Sequence, residues 1–340
     1  MRELSDYSLF RHNTFGIDAR CRRFLEYESG REAVEAARIL RESGEPYIII
    51  GGGSNLLLTR DFPGTVVHSA VKGIHAVADP HSAGHVLLSC GSGETWDDMV
   101  ATAVEHGWHG AENLSIIPGE VGASAVQNIG AYGAEAKDLI VSVEAVEIAT
   151  GRTCVLQNAE CQYGYRQSRF KGEWRNAYLL VSVTYRLSRT FTPRLDYGNI
   201  RAALSARGIS QPTALQLRQT IIGIRNEKLP DPKLTGNAGS FFMNPVVGRD
   251  KYESLLEDYP DMPHYYIDGQ HEKIPAGWLI EQCGWKGRSL GRAGVHDRQA
   301  LVLVNRGGAT GGEVLALCRA IQHDVKRKFG IEIHPEVNVI

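Results

Sequence analysis

The chain has 340 residues, more than one hydrophobic core usually organises, so two or three domains are expected. Hydrophobic residues make up 43% and the formal net charge is −2, which excludes the basic footprint of a nucleic-acid binder and points to a small-molecule partner. The polar start Met1–Tyr7 is unlike a signal peptide, no apolar run reaches bilayer length, and the six scattered cysteines lack zinc or redox spacing, so a cytoplasmic chain with reduced thiols and neither membrane nor metal partner is expected.

In chain order, Phe24 to Tyr27 reads as a strand. Ser29 and Glu32 then have capping-box spacing ahead of a helix with apolar positions Val34, Ala37 and Leu40. Tyr47 to Ile50 reads as a buried strand that runs into Gly51-Gly52-Gly53-Ser54-Asn55, and Leu56 to Leu58 resumes the apolar pattern, which predicts strand-turn-strand. Further strands are predicted at Val86 to Cys90, Ile140 to Ile148 and Tyr178 to Leu187, with a helix from about Trp96 to His106 between the first two. From Ala214, the apolar residues Leu215, Leu217, Ile221, Ile222 and Ile224 predict a helix that Pro230 stops. A buried helix at Ile274 to Cys283, a strand at Leu301 to Val304, an amphipathic helix at Thr310 to Phe329 and a last strand at Ile331 to Ile340 complete a mixed α+β chain.

Four glycine-rich segments stand out. Gly51 to Asn55 lacks both the Gly-x-Gly-x-x-Gly spacing of a dinucleotide fold and the lysine of a P-loop, which leaves a plain tight turn or an anion nest of backbone N–H groups. Gly307 to Glu313 is most economically a loop and helix start, with Thr310 and Glu313 as a capping box. Ile116 to Gly133 is small, apolar and nearly uncharged; a flat ligand can lie against it, with Gln127, Asn128 and Tyr132 to hydrogen-bond, although close packing between elements would also suit its Gly and Ala. Gly236 to Pro245 sets Ser240 among glycines before Phe241 and Phe242. Neither Gly-x-Ser-x-Gly nor Ser-x-x-Lys is present, so Ser240 reads as a donor of a proton or hydrogen bond, or as a plain turn residue, and not as a nucleophile.

Taken together, Asn13-Thr14-Phe15-Gly16, Gly51 to Leu57, Ile117 to Gly133, Tyr165-Arg166-Gln167-Ser168, Lys228 to Pro232, Gly236 to Pro245 and Pro335-Glu336-Val337 closely resemble the UDP-N-acetylenolpyruvoylglucosamine reductase (MurB) family over nearly the whole chain. Tyr197-Gly198 and the span from Leu187 to Ala214 resemble the longer-loop branch, in which a tyrosine closes over the substrate. The resemblance implies a two-part FAD-binding domain of the vanillyl-alcohol-oxidase type, residues 1–70 and 71–213. It also implies a C-terminal α+β substrate-binding domain, residues 214–340, whose last strand returns to the active site. By the same resemblance FAD contacts Gly51, Gly52, Gly53, Ser54, Asn55, Ile117, Gly119, Gly122, Gln127, Asn128 and Ile129, and the UDP-sugar contacts Tyr132, Tyr197, Lys228, Asn244 and Gln299.

The implied reaction uses NADPH to reduce the flavin, then passes hydride from flavin N5 to C3 of UDP-N-acetylglucosamine enolpyruvate in cell-wall precursor synthesis. Arg166 and Glu336 would stabilise the enolate and Ser240 would protonate C2; electrostatic help of this kind is typically worth roughly 3 to 4 kcal/mol per donor. A monomer is expected. The chain departs from the commonest family pattern at Glu120, whose side chain is expected to point away from the pyrophosphate, and at Met243. Two other readings are an alcohol or sugar oxidase on the same scaffold and a non-catalytic nucleotide-binding protein. Such oxidases often attach flavin through a histidine in the glycine turn, which Gly51 to Asn55 lacks, and a mere binder has little use for Arg166, Ser240 and Glu336 together.

Overall fold

The predicted periodicities become regular elements in the computed structural model, which describes residues 1–340. Ser29 Oγ accepts the Glu32 N–H at 3.3 Å to start helix Gly30–Ser43, and Gly44 ends it at φ +61°. The Glu32 carboxylate closes back on the N–H of Glu28 at 2.8 Å, one residue earlier than a standard box. Thr310 and Glu313 make the full reciprocal box, 3.2 and 2.8 Å, at the start of helix Gly311–Phe329. Helix Ala214–Lys228 stops ahead of Pro230 as predicted.

Two compact units are built from interleaved stretches, Met1–Tyr7, Cys21–Gly52 and Phe62–Asn226 in the first, Ser8–Arg20, Gly53–Asp61 and Glu227–Ile340 in the second. The first unit holds a four-stranded sheet in the order Arg2–Ser8, Arg20–Tyr27, Phe62–Ser69, Tyr47–Ile50, with the last three strands parallel. Its other sheet is antiparallel, in the order Thr153–Gln157, Ile140–Glu147, Tyr178–Ser188, His85–Gly91, Ile74–Ala78. Helix Gly30–Ser43 lies between the two sheets. Its Ala33, Ala36, Ala37 and Leu40 are buried with Leu25 and Val67 from one sheet and Val146, Leu179 and Val181 from the other. Small side chains on this face let one helix approach both sheets, which stabilises the unit by burial of apolar surface. A second core joins helices Trp96–Glu105 and Val121–Gln127 to the outer face of the antiparallel sheet through Val143, Val183 and Tyr185.

In the second unit Asn237–Ser240, Val302–Asn305, Ala293–Val295 and Ser289–Leu290 form an antiparallel sheet. Helix Gly311–Phe329 buries the predicted stripe Val314, Leu317, Cys318, Ile321 and Val325. The Asn-Thr-Phe-Gly motif is the clasp of this unit. Asn13 bonds both Leu9 and Ile17 main chains at 2.8–2.9 Å, and Thr14 bonds the Gly53 carbonyl and both the N–H and carbonyl of Asn237. A Cβ on Gly53 would fall 2.0 Å from the His12 carbonyl oxygen, and one on Gly236 2.2 Å from that of Phe15, so neither position admits a side chain.

The predicted last strand is shorter than its apolar pattern. Only Asn338–Val339 forms a strand, in parallel with Leu56–Leu57, while Pro335 makes an isolated bridge to Phe242 and Ile331, Ile333 and Val337 are buried in irregular chain. Pro335 has no N–H to donate and interrupts any longer ladder. No helix is long and apolar enough to cross a membrane.

Candidate active site

Seven non-glycine residues have positive φ, and four of them, Ile116, Asn128, Tyr132 and Arg166, fall in the segments singled out from sequence. Such angles each cost about 1–3 kcal/mol and persist only where neighbours hold them, which makes their clustering a marker of function. The holding contacts are present. Ile116, a β-branched residue at φ +49°, donates its N–H to Asp97 Oδ1 at 2.6 Å, and Asp97 is gripped by both Nη atoms of Arg218 at 2.7 and 3.0 Å.

Asn128 ends helix Val121–Gln127 in the left-handed region and is fully buried. Its side chain donates to the Gly164 carbonyl at 2.7 Å and accepts from Lys137 N at 2.9 Å, so it fixes neighbouring loops and leaves any outward contact to its main chain. Gly164 and Gln167 exchange two backbone bonds, 2.9 and 3.1 Å, around a two-residue tip, Tyr165-Arg166. Arg166 takes the φ +54° position, where a glycine is usual, and spends that strain on aim. Its guanidinium donates to the carbonyls of Asn128 and Gly130 and lies 5.3 Å over the Tyr165 ring. A Cβ on Gly130 would meet Arg166 Nη1 at 2.7 Å, which explains the glycine in Asn-Ile-Gly.

Tyr132, half-buried at φ +48°, accepts at its carbonyl from Asn113 at 2.8 Å. The exposed Tyr197 packs its Cβ against Gly133, where an added Cβ would sit at 3.3 Å. Beside Tyr132 lies a residue that pattern reading missed, Arg225, whose Nε is shut from solvent without a hydrogen-bond partner. Desolvation draws its pKa down, partly offset by Tyr132 and Asp97. A cation with an open donor is a ready partner for an anion.

Gly51 and Gly52 face a carboxylate. Added Cβ atoms there would lie 3.3 Å from Glu120 Oε2 and 3.4 Å from Glu120 Oε1, and the Gly51 atom would also lie 3.3 Å from Ala123 Cβ. Glu120 therefore lies against the turn, a correction to the expectation that it points away. It stays because His68 Nε2 is 3.0 Å from its Oε1, while His68 Nδ1 is 2.9 Å from Glu26 Oε2. Gly122 packs on Ser92, whose Cβ would be 3.0 Å from an added Cβ, and so brings the helix start close to the strand end.

In the second unit Ser240 is exposed at the end of strand Asn237–Ser240, just after a register shift at Gly239, which has φ +67°. The next residue, Phe241, accepts the Glu336 N–H at its carbonyl at 2.8 Å, and Phe242 bridges Pro335, so the backbones carrying Ser240 and Glu336 run side by side. Asn55 Nδ2 donates to the Glu336 carbonyl at 3.3 Å and binds the glycine turn's second half to the same segment. Asn244 Oδ1 accepts from Ala276 N at 2.9 Å, and Gln299 Oε1 from Leu301 N at 3.2 Å, so each oxygen already has a structural partner. Lys228 is exposed at the end of its helix.

Residues 231–340 match the family UDP-N-acetylenolpyruvoylglucosamine reductase, C-terminal domain, and residues 22–157 match the family FAD binding domain. A UDP-N-acetylenolpyruvoylglucosamine reductase of Bacteroides fragilis is 54% identical over 98% of this chain and 99% of its own. The chain belongs to the UDP-N-acetylenolpyruvoylglucosamine reductase family. A further reductase of this name, from Burkholderia ambifaria, is 48% identical over 98% of this chain and 95% of its own. The fold agrees: the crystal structure of the MurB reductase from Thermus caldophilus superposes with TM-score 0.68 at 22% identity, covering 99% of this chain and 98% of that one. For a MurB-family chain, Glu26 and His68 are the residues that motif reading passed over. The available signal was a histidine after the buried run Thr65-Val66-Val67, a polar side chain where the strand is otherwise enclosed.

Proposed function

We propose that this chain, with FAD bound, reduces UDP-N-acetylglucosamine enolpyruvate to UDP-N-acetylmuramate at the expense of NADPH, as a cytoplasmic monomer making a peptidoglycan precursor. In this reading residues 1–70 and 71–213 are the FAD-binding subdomains and 214–340 the substrate domain, with Tyr197 on a loop that covers the substrate. The observation that carries it is the Phe241–Glu336 backbone bond, which brings the chain segments bearing the Ser240 hydroxyl and the Glu336 carboxyl side by side. A proton donor and an enolate-stabilising acid are the pair this reaction requires.

The residues present fit FAD. Gly51 and Gly52 leave their main chain without side chains, Gly53 has φ +67°, and Gly119 at φ +124° opens the 121–127 helix segment. Gly51 to Asn55 would take the diphosphate, with Ile117, Gly119, Gly122, Gln127, Asn128 and Ile129 along the rest of the cofactor. When bound, FAD supplies hydride transfer from NADPH to C3 of the enol ether. Arg166 is pre-aimed by two carbonyls and offers its fork to the substrate carboxylate, where charge builds after C3 is reduced. Glu336, protonated, donates to the same carboxylate. Ser240 Oγ gives its proton to C2, which completes the lactyl ether, and its exposure lets the hydroxyl recover a proton from solvent. Lys228, Tyr132, Tyr197, Asn244 and Gln299 hold the UDP-sugar.

An anaerobic titration tests the proposal. NADPH is expected to bleach the yellow protein, and the enolpyruvyl sugar nucleotide to restore its colour in stoichiometric amount. Rapid reoxidation by oxygen with no response to the sugar nucleotide would favour an oxidase instead.

A further inference from the structure

The carboxylate over the glycine turn is held by an arrangement that only one protonation state satisfies. Both ring nitrogens of His68 are within 3.0 Å of carboxylate oxygens, Nδ1 at Glu26 and Nε2 at Glu120. A neutral imidazole has one N–H, so it can donate to one of the two and turns a lone pair on the other; the imidazolium donates to both. His68 is 8% exposed and its ring lies 6.3 Å from that of Phe24 at 23°, so the ring has little freedom to turn away.

The charged and titratable groups around it come from several elements. Glu26 is on the strand beside His68 and also pairs with Arg2 at 3.6 Å, Glu120 precedes helix Val121–Gln127, and the buried Tyr27 phenol, its pKa raised chiefly by desolvation, stays neutral. With His68 charged, Arg2 and His68 balance Glu26 and Glu120. With His68 neutral, one negative charge is uncompensated a few ångströms from the Gly51–Gly52 main chain, the place the proposed function assigns to the FAD diphosphate.

We propose that His68 is a positioning residue for the cofactor, whose proton holds and neutralises Glu120 and so admits an anionic diphosphate to the Gly51–Gly52 turn. This rests on the reading that FAD occupies that turn. Burial by itself would lower the His68 pKa, but hydrogen bonds and charges from Glu120 and then Glu26 outweigh it and hold the pKa above its ordinary value. The favourable state is therefore complete at and below the ordinary histidine range and is lost as pH rises through the raised value. By linkage, FAD must in turn hold the proton on His68 more tightly, and binding at higher pH takes up protons from solution.

The test is titration of the apoprotein with FAD, followed by flavin fluorescence, at about pH 6 and about pH 9 on either side of the histidine transition. Wild-type affinity is expected to fall by roughly tenfold or more between the two, a usual size for coupled binding events. Glu120→Ser should bind equally at both values. His68→Asn should bind as weakly at the lower pH as wild type does at the higher, and the double variant should recover tight binding. Equal wild-type affinity at both values, or a full pH slope retained by Glu120→Ser, overturns the proposal while leaving FAD binding intact. A wild-type chain that takes up no FAD at either pH overturns the underlying reading as well. Circular dichroism checks folding, and should His68→Asn fail to fold, wild type and Glu120→Ser decide the matter.

Discussion

Ser240 and Arg166 are the residues whose chemistry can be separated most cleanly. On the proposed mechanism Ser240 acts only after the flavin has been reduced, so Ser240→Ala is expected to reduce its flavin with NADPH at near-normal rate and to slow substrate reduction by about 10² to 10⁴, the range for loss of a general acid. Stopped-flow measurement of the two half-reactions distinguishes this from a general loss of binding, which would slow both. Arg166→Lys keeps the charge but loses the planar fork that now spans the carbonyls of Asn128 and Gly130. Substrate reduction should slow by roughly 10² to 10³, the usual cost of one transition-state donor, with the NADPH half-reaction spared. The glycine-rich setting singled out Ser240, and the family resemblance of Tyr165-Arg166-Gln167-Ser168 singled out Arg166. Neither could tell that Asn128 would turn its side chain inward, since that depends on Gly164 and Lys137 arriving from elsewhere in the chain.

Elements were legible where a local rule governs them. Helices Gly30–Ser43, Ala214–Lys228 and Gly311–Phe329 follow from caps, a stop signal and apolar periodicity, all within a few residues of one another. The terminal strand was misjudged because alternation of apolar residues reports burial, and burial does not require a ladder partner. Helix Ala214–Lys228 carries a direct test. Gly223 is exposed in its interior, with nothing within 4 Å of an added Cβ, so Gly223→Ala should stabilise the first unit by about 0.5–1 kcal/mol through lower chain entropy. A higher urea midpoint with unchanged slope would bear this out, and a lower one would show that the glycine is there for a contact.

At the scale of the whole molecule, two early stretches, Ser8–Arg20 and Gly53–Asp61, complete a unit otherwise made by the last third of the chain. Gly236 is one of the points where that threading is tight. Gly236→Ala would drive a Cβ to 2.2 Å from the Phe15 carbonyl oxygen and 2.7 Å from its carbon, main-chain atoms that cannot yield as a flexible side-chain end can. A loss of about 1–3 kcal/mol, typical of overpacking, is expected, seen as earlier unfolding of the second unit by hydrogen exchange while amides of strands Ile140–Glu147 and Tyr178–Ser188 keep their protection. Uniform loss of protection in both units would show instead that they unfold as one.

The sequence by itself determined the α+β class, most helix bounds and the glycine turns, because caps, periodicity and turn chemistry are short-range constraints, while the candidate catalytic side chains came from resemblance to a family. Tertiary structure decided which polar groups face one another. Glu26, His68 and Glu120 are separated by 42 and 52 residues along the chain and share one imidazole only because parallel pairing of Arg20–Tyr27 with Phe62–Ser69 sets the first two side by side and helix Val121–Gln127 brings in the third. Electrostatic partnership acts through space, over a few ångströms, and no pattern in one dimension encodes it.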